Sequence, residues 1–510
     1  MLIFNKNSNL VKILSNYVGK LWSLLAVFLC VPLYINYLGI ENYAVIGFYT
    51  LVLALISFAD AGMSSAITRE FSLEESTGYK LSILNKIEKL YWGVLFFICS
   101  IIMFFSGIIA EKWLKTEAIN LNDLTNYILL IGVGACIQMA ASLYYGALFG
   151  LGFQVQANNY QIIWTTFKSL LVILLIKFIR NGLYVFFIWQ IICNIIYVYS
   201  LRSSVLKGLD KKNNNTNYGL KSFEIPKRIY KYIGGMALVA IISSISSQMD
   251  KLVISYFYSL KVFGYYTMVS LLAQIPIFIT MPIAAFIFPL LSKFAEKKDK
   301  KSLFDNTLKK FIFLLYLIII PTSIFICFYP LEVLQTWSNA KIELHLLSDM
   351  VFLVQTLTIG SMFLAMQFPL YYTLLAHSET KYTVYQGAVQ LVVGVPLLFC
   401  LAKFYGLKYV GITWLLINFC GFIYLLFVCL ERFTNIEKLV YLKKYVIPNV
   451  CISSILSSIS LYIYNNTNLI FFVVALLHIL ITFMLIIALN NYQEGRRIFS
   501  LKHLYNFSKE

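Results

Sequence analysis

Charge is scarce in this chain. Asp, Glu, Lys and Arg make up 13% of its 510 residues, against 60% hydrophobic. A globular chain carries about twice that charged share and is about half apolar, so a soluble core is excluded. Histidine is scarcer still, and His345, His377, His478 and His503 are scattered. They show no metal-ligand or nucleophile spacing, so no catalytic group, metal ligand or cofactor is assigned. His478, alone in its apolar run, reads as a packed polar residue. The nine cysteines are an odd number, nearly all inside apolar runs from Cys30 to Cys451, which argues against a disulfide framework or a metal site. A P-loop is lacking, so no nucleotide-driven site is indicated and any energy source would be an ion gradient or substrate removal. A large polar outer loop is lacking too, and a membrane glycan polymerase or ligase would need one for its catalytic groups.

What the chain has is apolar runs of about twenty residues, long enough to cross about 30 Å of hydrocarbon. Fourteen windows emerge: 10–37, 42–69, 88–110, 124–149, 158–179, 183–203, 231–258, 262–290, 309–330, 347–376, 382–402, 408–430, 446–464 and 469–489. The first lacks a small-residue cleavage site and is expected to be a spanning helix rather than a signal peptide. The fold class is therefore an all-α polytopic membrane protein with about 14 transmembrane helices.

Net charge is +18, and its distribution points to membrane topology rather than nucleic acid. With the N-terminus in the cytoplasm, 30 basic residues fall on inner segments, 8 on outer loops and three (Lys20, Lys168 and Lys251) inside spans. The positive-inside rule then predicts a multi-pass protein of the bacterial inner membrane with both termini cytoplasmic. The basic surplus would also favour anionic inner-leaflet lipid.

Self-similarity divides the chain. An offset near 225 aligns Tyr160-Gln161 with Tyr385-Gln386, Tyr184-Val185 with Tyr409-Val410, and Trp189 with Trp414. An offset near 220 aligns Tyr43-Ala44 with Phe263-Gly264. Spans one to six thus repeat as spans seven to twelve in the same orientation, a common transporter plan. The expected domains are an N-lobe at 1–205, a cytoplasmic linker at 206–229, a C-lobe at 230–431, and two extra spans with a tail at 432–510. The lobes form two pseudo-symmetric six-helix bundles.

Ionisable groups inside a membrane mark functional interiors. Lys20 and Asp60 lie about equally far from the connector Leu38-Gly39-Ile40-Glu41, roughly 30 Å away at 1.5 Å per residue. This predicts a charge pair. Lys168 lies at similar depth, and Arg69 closes the inner end of span two. These cations outnumber Asp60, so the inner cavity is net positive and suits an anion such as a diphosphate. In span seven Met236, Ala240, Ser243, Ser247 and Asp250 share a helix face. Shifted by 220 they fall on Asn16, Lys20, Ser23, Val27 and Cys30. Asn16, Ser23, Ser243 and Ser247 are therefore candidate polar residues of the cavity face, with Asp250 nearer the outer end. Small residues at such spacing also serve close helix packing.

At these residues the chain resembles the polysaccharide-export branch of the multidrug/oligosaccharidyl-lipid/polysaccharide (MOP) transporter superfamily, and O-antigen flippases of the Wzx type in particular. The resemblance rests on Tyr37-Leu38-Gly39 with Tyr43, Asp60-Ala61-Gly62-Met63 with Arg69, and Gln248-Met249-Asp250-Lys251. It continues in Gly264-Tyr265-Tyr266 and in Phe288-Pro289 followed by Ser292-Lys293, and it covers about 1–430. Family members often have glycine where this chain has Ala44, a departure that touches packing more than chemistry. The resemblance implies a MATE-like architecture and a transporter rather than an enzyme. Its implied substrate is a polyprenyl-diphosphate-linked oligosaccharide such as an O-antigen unit, moved from the cytoplasmic to the periplasmic leaflet. Membrane lipid, a coupling ion (H+ or Na+) and other glycan-assembly membrane proteins are the remaining expected partners, and nucleic acid is not one. The rival readings are a cation-coupled drug antiporter, which would want an acidic or apolar cavity, and a lipid II flippase.

Overall fold

A computed structural model describes residues 9–60, 62–73, 76–179, 182–211, 244–245, 247–295, 301–338, 342–467 and 471–494. Ser243, Gly234-Gly235, most of the 206–229 linker and both chain termini lie outside them. Among the described residues eleven helices are long and apolar enough to cross a membrane. A bent pair, Leu260–Ala273 with Ile275–Ala284 at 40°, forms one further span, and Val473–Leu489 is a shorter apolar helix. Each coincides with one of the windows read from the sequence, and the window at 231–258 falls largely outside the described residues. Helices satisfy most of their backbone N–H and C=O groups internally, as a membrane requires.

The contacts divide the chain into two compact units, Met1–Met268 and Val269–Glu510. The first unit begins with α1 (Asn9–Leu38) and α2 (Ile40–Ile56). The single residue Gly39 joins them at φ 84°, a left-handed conformation that glycine adopts without strain. The main neighbour of α1 is α6 (Gln154–Thr166) rather than α2. Span two is not one continuous helix, as its apolar run suggests. It passes from α2 through a 3-10 turn at Ser57–Asp60 and a left-handed Gly62 (φ 77°) into α3 (Met63–Ser72).

The unit continues with α4 (Thr77–Ile108), α5 (Leu121–Gly150), α7 (Val172–Phe178) and α8 (Gly182–Lys211). A π-turn at Phe167–Leu171 links α6 to α7. The short helix over 247–257 (α9) precedes α10 (Leu260–Ala273). In that helix Gly264 faces α2, where a Cβ would meet the Ile40 carbonyl at 2.6 Å and the Ala44 Cβ at 3.0 Å. Ala44 thus lies in a helix contact, and its departure from glycine concerns packing.

The second unit holds α11 (Ile275–Ala295), α12 (Lys301–Phe328), α13 (Pro330–Ser338) and α14 (Leu344–Ala376). It ends with α15 (Lys381–Cys400), α16 (Leu407–Arg432), α17 (Lys438–Tyr441), α18 (Ile447–Asn466) and α19 (Phe471–Glu494). Its core runs through Leu308, Phe311, Leu315, Met366, Leu370 and Phe422. Tyr316 donates to the Met366 carbonyl at 2.9 Å and shares a hydrogen bond with Tyr441.

Candidate functional site

The break in span two puts a carboxylate where backbone groups need one. Ending α2 and restarting at α3 leaves the first N–H groups of α3 without helical partners. Asp60 answers this: its Oδ1 accepts from the Ser64 backbone N–H at 3.2 Å and from the Ser64 hydroxyl. Ser142 of α5 adds a hydroxyl at 3.1 Å and Tyr91 of α4 another at 3.2 Å. These donors hold the charge, and α3 also gains a favourable anion at its positive end. The helix α3 lies close against α5 because Gly146 and Gly150 face it. A Cβ there would fall 2.7 Å from the Ser64 carbonyl and 2.5 Å from the Thr68 carbonyl, respectively.

Beside this junction is a cavity of about 410 Å³ within the first unit. Ser64, Ser65 and Thr68 of α3 and Ser142 of α5 bring hydroxyls to its wall, and Gln161 of α6 brings an amide. Tyr145 and Phe149 of α5, Trp164 of α6 and Tyr197 of α8 bring rings. The rings form two pairs: Tyr145 with Phe149 at 4.7 Å and Trp164 with Tyr197 stacked at 4.6 Å. A polar seam between α1 and α6 runs on from this wall. Tyr145 donates to Asn158 Oδ1, whose Nδ2 reaches Ser15 at 3.0 Å and Asn16 at 2.5 Å. Gln161 Nε2 donates to Ser23 at 3.2 Å, and Trp22 donates to Thr166 at 2.9 Å.

Lys168 occupies the π-turn after Trp164. Such turns are frequent at functional sites, and this one gives the lysine neutral company. Its Nζ donates to Gln138 Oε1 at 2.6 Å and lies 4.5 Å from the Trp164 ring centroid and 5.6 Å from that of Tyr49. Tyr49 donates to the same Gln138 oxygen at 2.8 Å, and Trp164 donates to Asn194 at 3.1 Å. No carboxylate pairs with Lys168 among the described residues.

The remaining sequence candidates distribute as follows. Asn16 and Ser23 lie in the α1–α6 seam. Lys20 is exposed and forms no ion pair with Asp60. The expected pair presumed that α1 packs along α2, whereas α1 packs mainly on α6 and Asp60 has four donors of its own. Arg69 is exposed near the end of α3. Asp250 Oδ2 accepts from Tyr266 at 2.7 Å, and Ser247 donates to the Ser244 carbonyl at 3.1 Å. None of Lys20, Lys168 or Arg69 lines the cavity, although Lys168 sits over a ring that does.

Comparison with known proteins now decides the family. A family model described as polysaccharide biosynthesis protein matches residues 10–295, more than half of the chain. The chain belongs to the polysaccharide biosynthesis protein family. No curated protein matches its sequence. Among solved structures, the lipid II flippase MurJ in an inward closed conformation is similar over 96% of this chain and 100% of its own. The TM-score there is 0.71 and the identity 15%. An inward-facing multidrug resistance MATE family transporter of the MOP superfamily is similar over 82% and 95%, with TM-score 0.61 and 16% identity. The MATE multidrug transporter DinF-BH is similar over 84% and 97%, with TM-score 0.59 and 14% identity. At these identities the likeness is one of fold. This polysaccharide biosynthesis family member therefore has a fold like those of MurJ and the MATE transporters, with a ring-lined cavity that bears hydroxyls and a lysine lacking a described acidic partner in its first unit.

Sequence reading missed the cavity wall of this family member. Ser64, Ser65 and Thr68 stand at i, i+1 and i+4 just beyond Asp60-Ala61-Gly62, and Ser142 and Tyr145 stand three apart in span four. Hydroxyls at that spacing in apolar runs were the available signal.

Proposed function

We propose that the protein is a flippase that carries a polyprenyl-diphosphate-linked oligosaccharide, an O-antigen or other surface-glycan unit, from the cytoplasmic to the periplasmic leaflet. The observation that carries this reading is Lys168, a cation within span five with an amide oxygen and two ring faces as partners and no described carboxylate. A charge in low dielectric without a counter-ion is costly, and a diphosphate arriving from the membrane would supply one. Family membership supports a polysaccharide role, and the MOP fold supports alternating access between two repeated halves. Lys20 and Arg69, both exposed, would attract the diphosphate first, while Asp250 would disfavour it near the outer end. Unequal affinity of the two states for the anion would bias the cycle, and a coupling ion at Asp250 would reset it.

Both termini would be cytoplasmic on this reading. Reporter fusions at Asn215 and Glu510 should give cytoplasmic signals, and a periplasmic signal at either would overturn the orientation. Asp60, an acid behind the cavity wall, favours the second reading, a cation-coupled drug antiporter. Proteoliposomes separate the two. The protein should accelerate leaflet exchange of a lipid-linked oligosaccharide and leave an organic cation untransported. The reverse result would establish the antiporter.

A further inference from the structure

We propose that the cavity of the first unit seats a neutral sugar, the one bonded directly to the diphosphate of the lipid carrier. The proposal rests on the flippase reading and deepens it. A pyranose has apolar C–H faces and a rim of hydroxyls that both donate and accept. The cavity offers a matching pair of surfaces. Its rings can cover the C–H faces, and its serine and threonine oxygens, which donate within the protein, can accept from the rim. Two polar atoms there are unspent. Tyr197 is 7% exposed, and its hydroxyl makes no hydrogen bond among the described residues. Gln161 donates its Nε2 to Ser23, and its Oε1 has no described partner. A volume of about 410 Å³ falls within the range of about 300–1,000 Å³ for small-molecule sites.

Other occupants fit less well. A prenyl tail would leave the Tyr197 hydroxyl and the Gln161 Oε1 without partners. A diphosphate would find no cation in the lining. A hexuronate would find no cation in the lining and would lie near the Asp60 carboxylate, which is bonded to the wall residues Ser64 and Ser142. An organic cation would find no carboxylate in the lining. Trp164 ties the sugar seat to the anion site, since it lines the cavity and carries the Lys168 ammonium 4.5 Å from its centroid. A sugar in the cavity and a phosphate on Lys168 would be about one ring apart, as the first sugar and its diphosphate are.

The test measures affinity of the purified full chain in lipid nanodiscs for three probes. These are a polyprenyl diphosphate bearing one N-acetylhexosamine, the same lipid bearing one hexuronate, and the bare lipid. The neutral probe should bind at least about ten-fold tighter than the bare lipid, and the hexuronate probe no tighter than bare. Tyr197→Phe removes one hydroxyl and no described hydrogen bond, so it should fold. It should lower the neutral-to-bare affinity ratio about 3- to 10-fold, the value of one hydrogen bond. Ser65→Trp, which fills the cavity, should bring the ratio close to one. An unchanged ratio in both variants overturns the proposal, as does a hexuronate probe that binds as tightly as the neutral one. Tight wild-type binding with a ratio near one removes the sugar seat and leaves the flippase reading standing. Failure of the wild type to bind any of the three lipids removes both.

Discussion

The two units of the chain differ in the charged groups they hold. Among the described residues, the first holds Lys168, Asp60 and the buried Glu70 and Lys80, together with an amide and hydroxyl network. The second packs Leu308, Phe311, Ile312, Leu315, Met366 and Leu370 into a continuous apolar core. Yet sequence signals repeat between them. Gln161 lies in α6 and Gln386 in α15, and Trp189 lies in α8 and Trp414 in α16. Their bonds have diverged: Gln161 donates to Ser23, whereas Gln386 donates to Gln367 at 2.7 Å. Trp189 donates to the Phe167 carbonyl at the π-turn, and Trp414 donates to Ser361 at 3.1 Å. Among the described residues the first unit thus buries Glu70 and Lys80, while the second buries neutral polar groups such as Gln367 and Asn418 within its apolar core. Perturbing the second unit should change stability, and perturbing the first should change transport.

The largest stability effect is expected in the apolar core. Phe311 is fully buried, and Phe311→Ala should cost about 3–5 kcal/mol by cavity formation. Thermal unfolding in detergent would show the loss, while transport per folded molecule stays near the wild-type rate. A selective transport defect without destabilisation would break the contrast between the units. A smaller loss is expected at Asp60. Asp60→Leu strands the Ser64, Ser142 and Tyr91 donors, at about 1–3 kcal/mol, and Asp60→Asn should cost less because one acceptor oxygen remains. Equal melting temperatures for both variants and the wild type would remove the capping role given to this carboxylate. Smallest is Gly62→Ala, which places a Cβ at φ 77° and should cost about 1–2 kcal/mol. No change in melting would mean that the left-handed turn is not held in the folded protein.

Much of this fold could be read from the chain because lipid imposes a simple rule: runs of about twenty apolar residues become helices. The windows recovered the described spans for that reason. The break in span two went unread because hydropathy averages over Ser57, Asp60 and Gly62, three residues that interrupt helices elsewhere. The π-turn at Phe167–Leu171 has no local sequence mark, so the neutral surroundings of Lys168 could not be foreseen. Its presence in the interior could, since a lysine in span five stands out in any reading. The Lys20–Asp60 pair does not form because α1 packs mainly against α6 rather than α2, so equal distance from the connector does not bring the two side chains together.

The central claim is that the Lys168 charge is kept for an anionic substrate. Its most direct test is the leaflet-exchange rate of a polyprenyl-diphosphate-linked oligosaccharide in proteoliposomes, with Lys168→Ala and Lys168→Arg compared with wild type at matched protein insertion. The account predicts that Lys168→Ala slows exchange at least about ten-fold, the equivalent of about 1.4 kcal/mol. Lys168→Arg should retain most of the rate. Wild-type exchange by the alanine variant would contradict the account, because the diphosphate would then be carried without this charge.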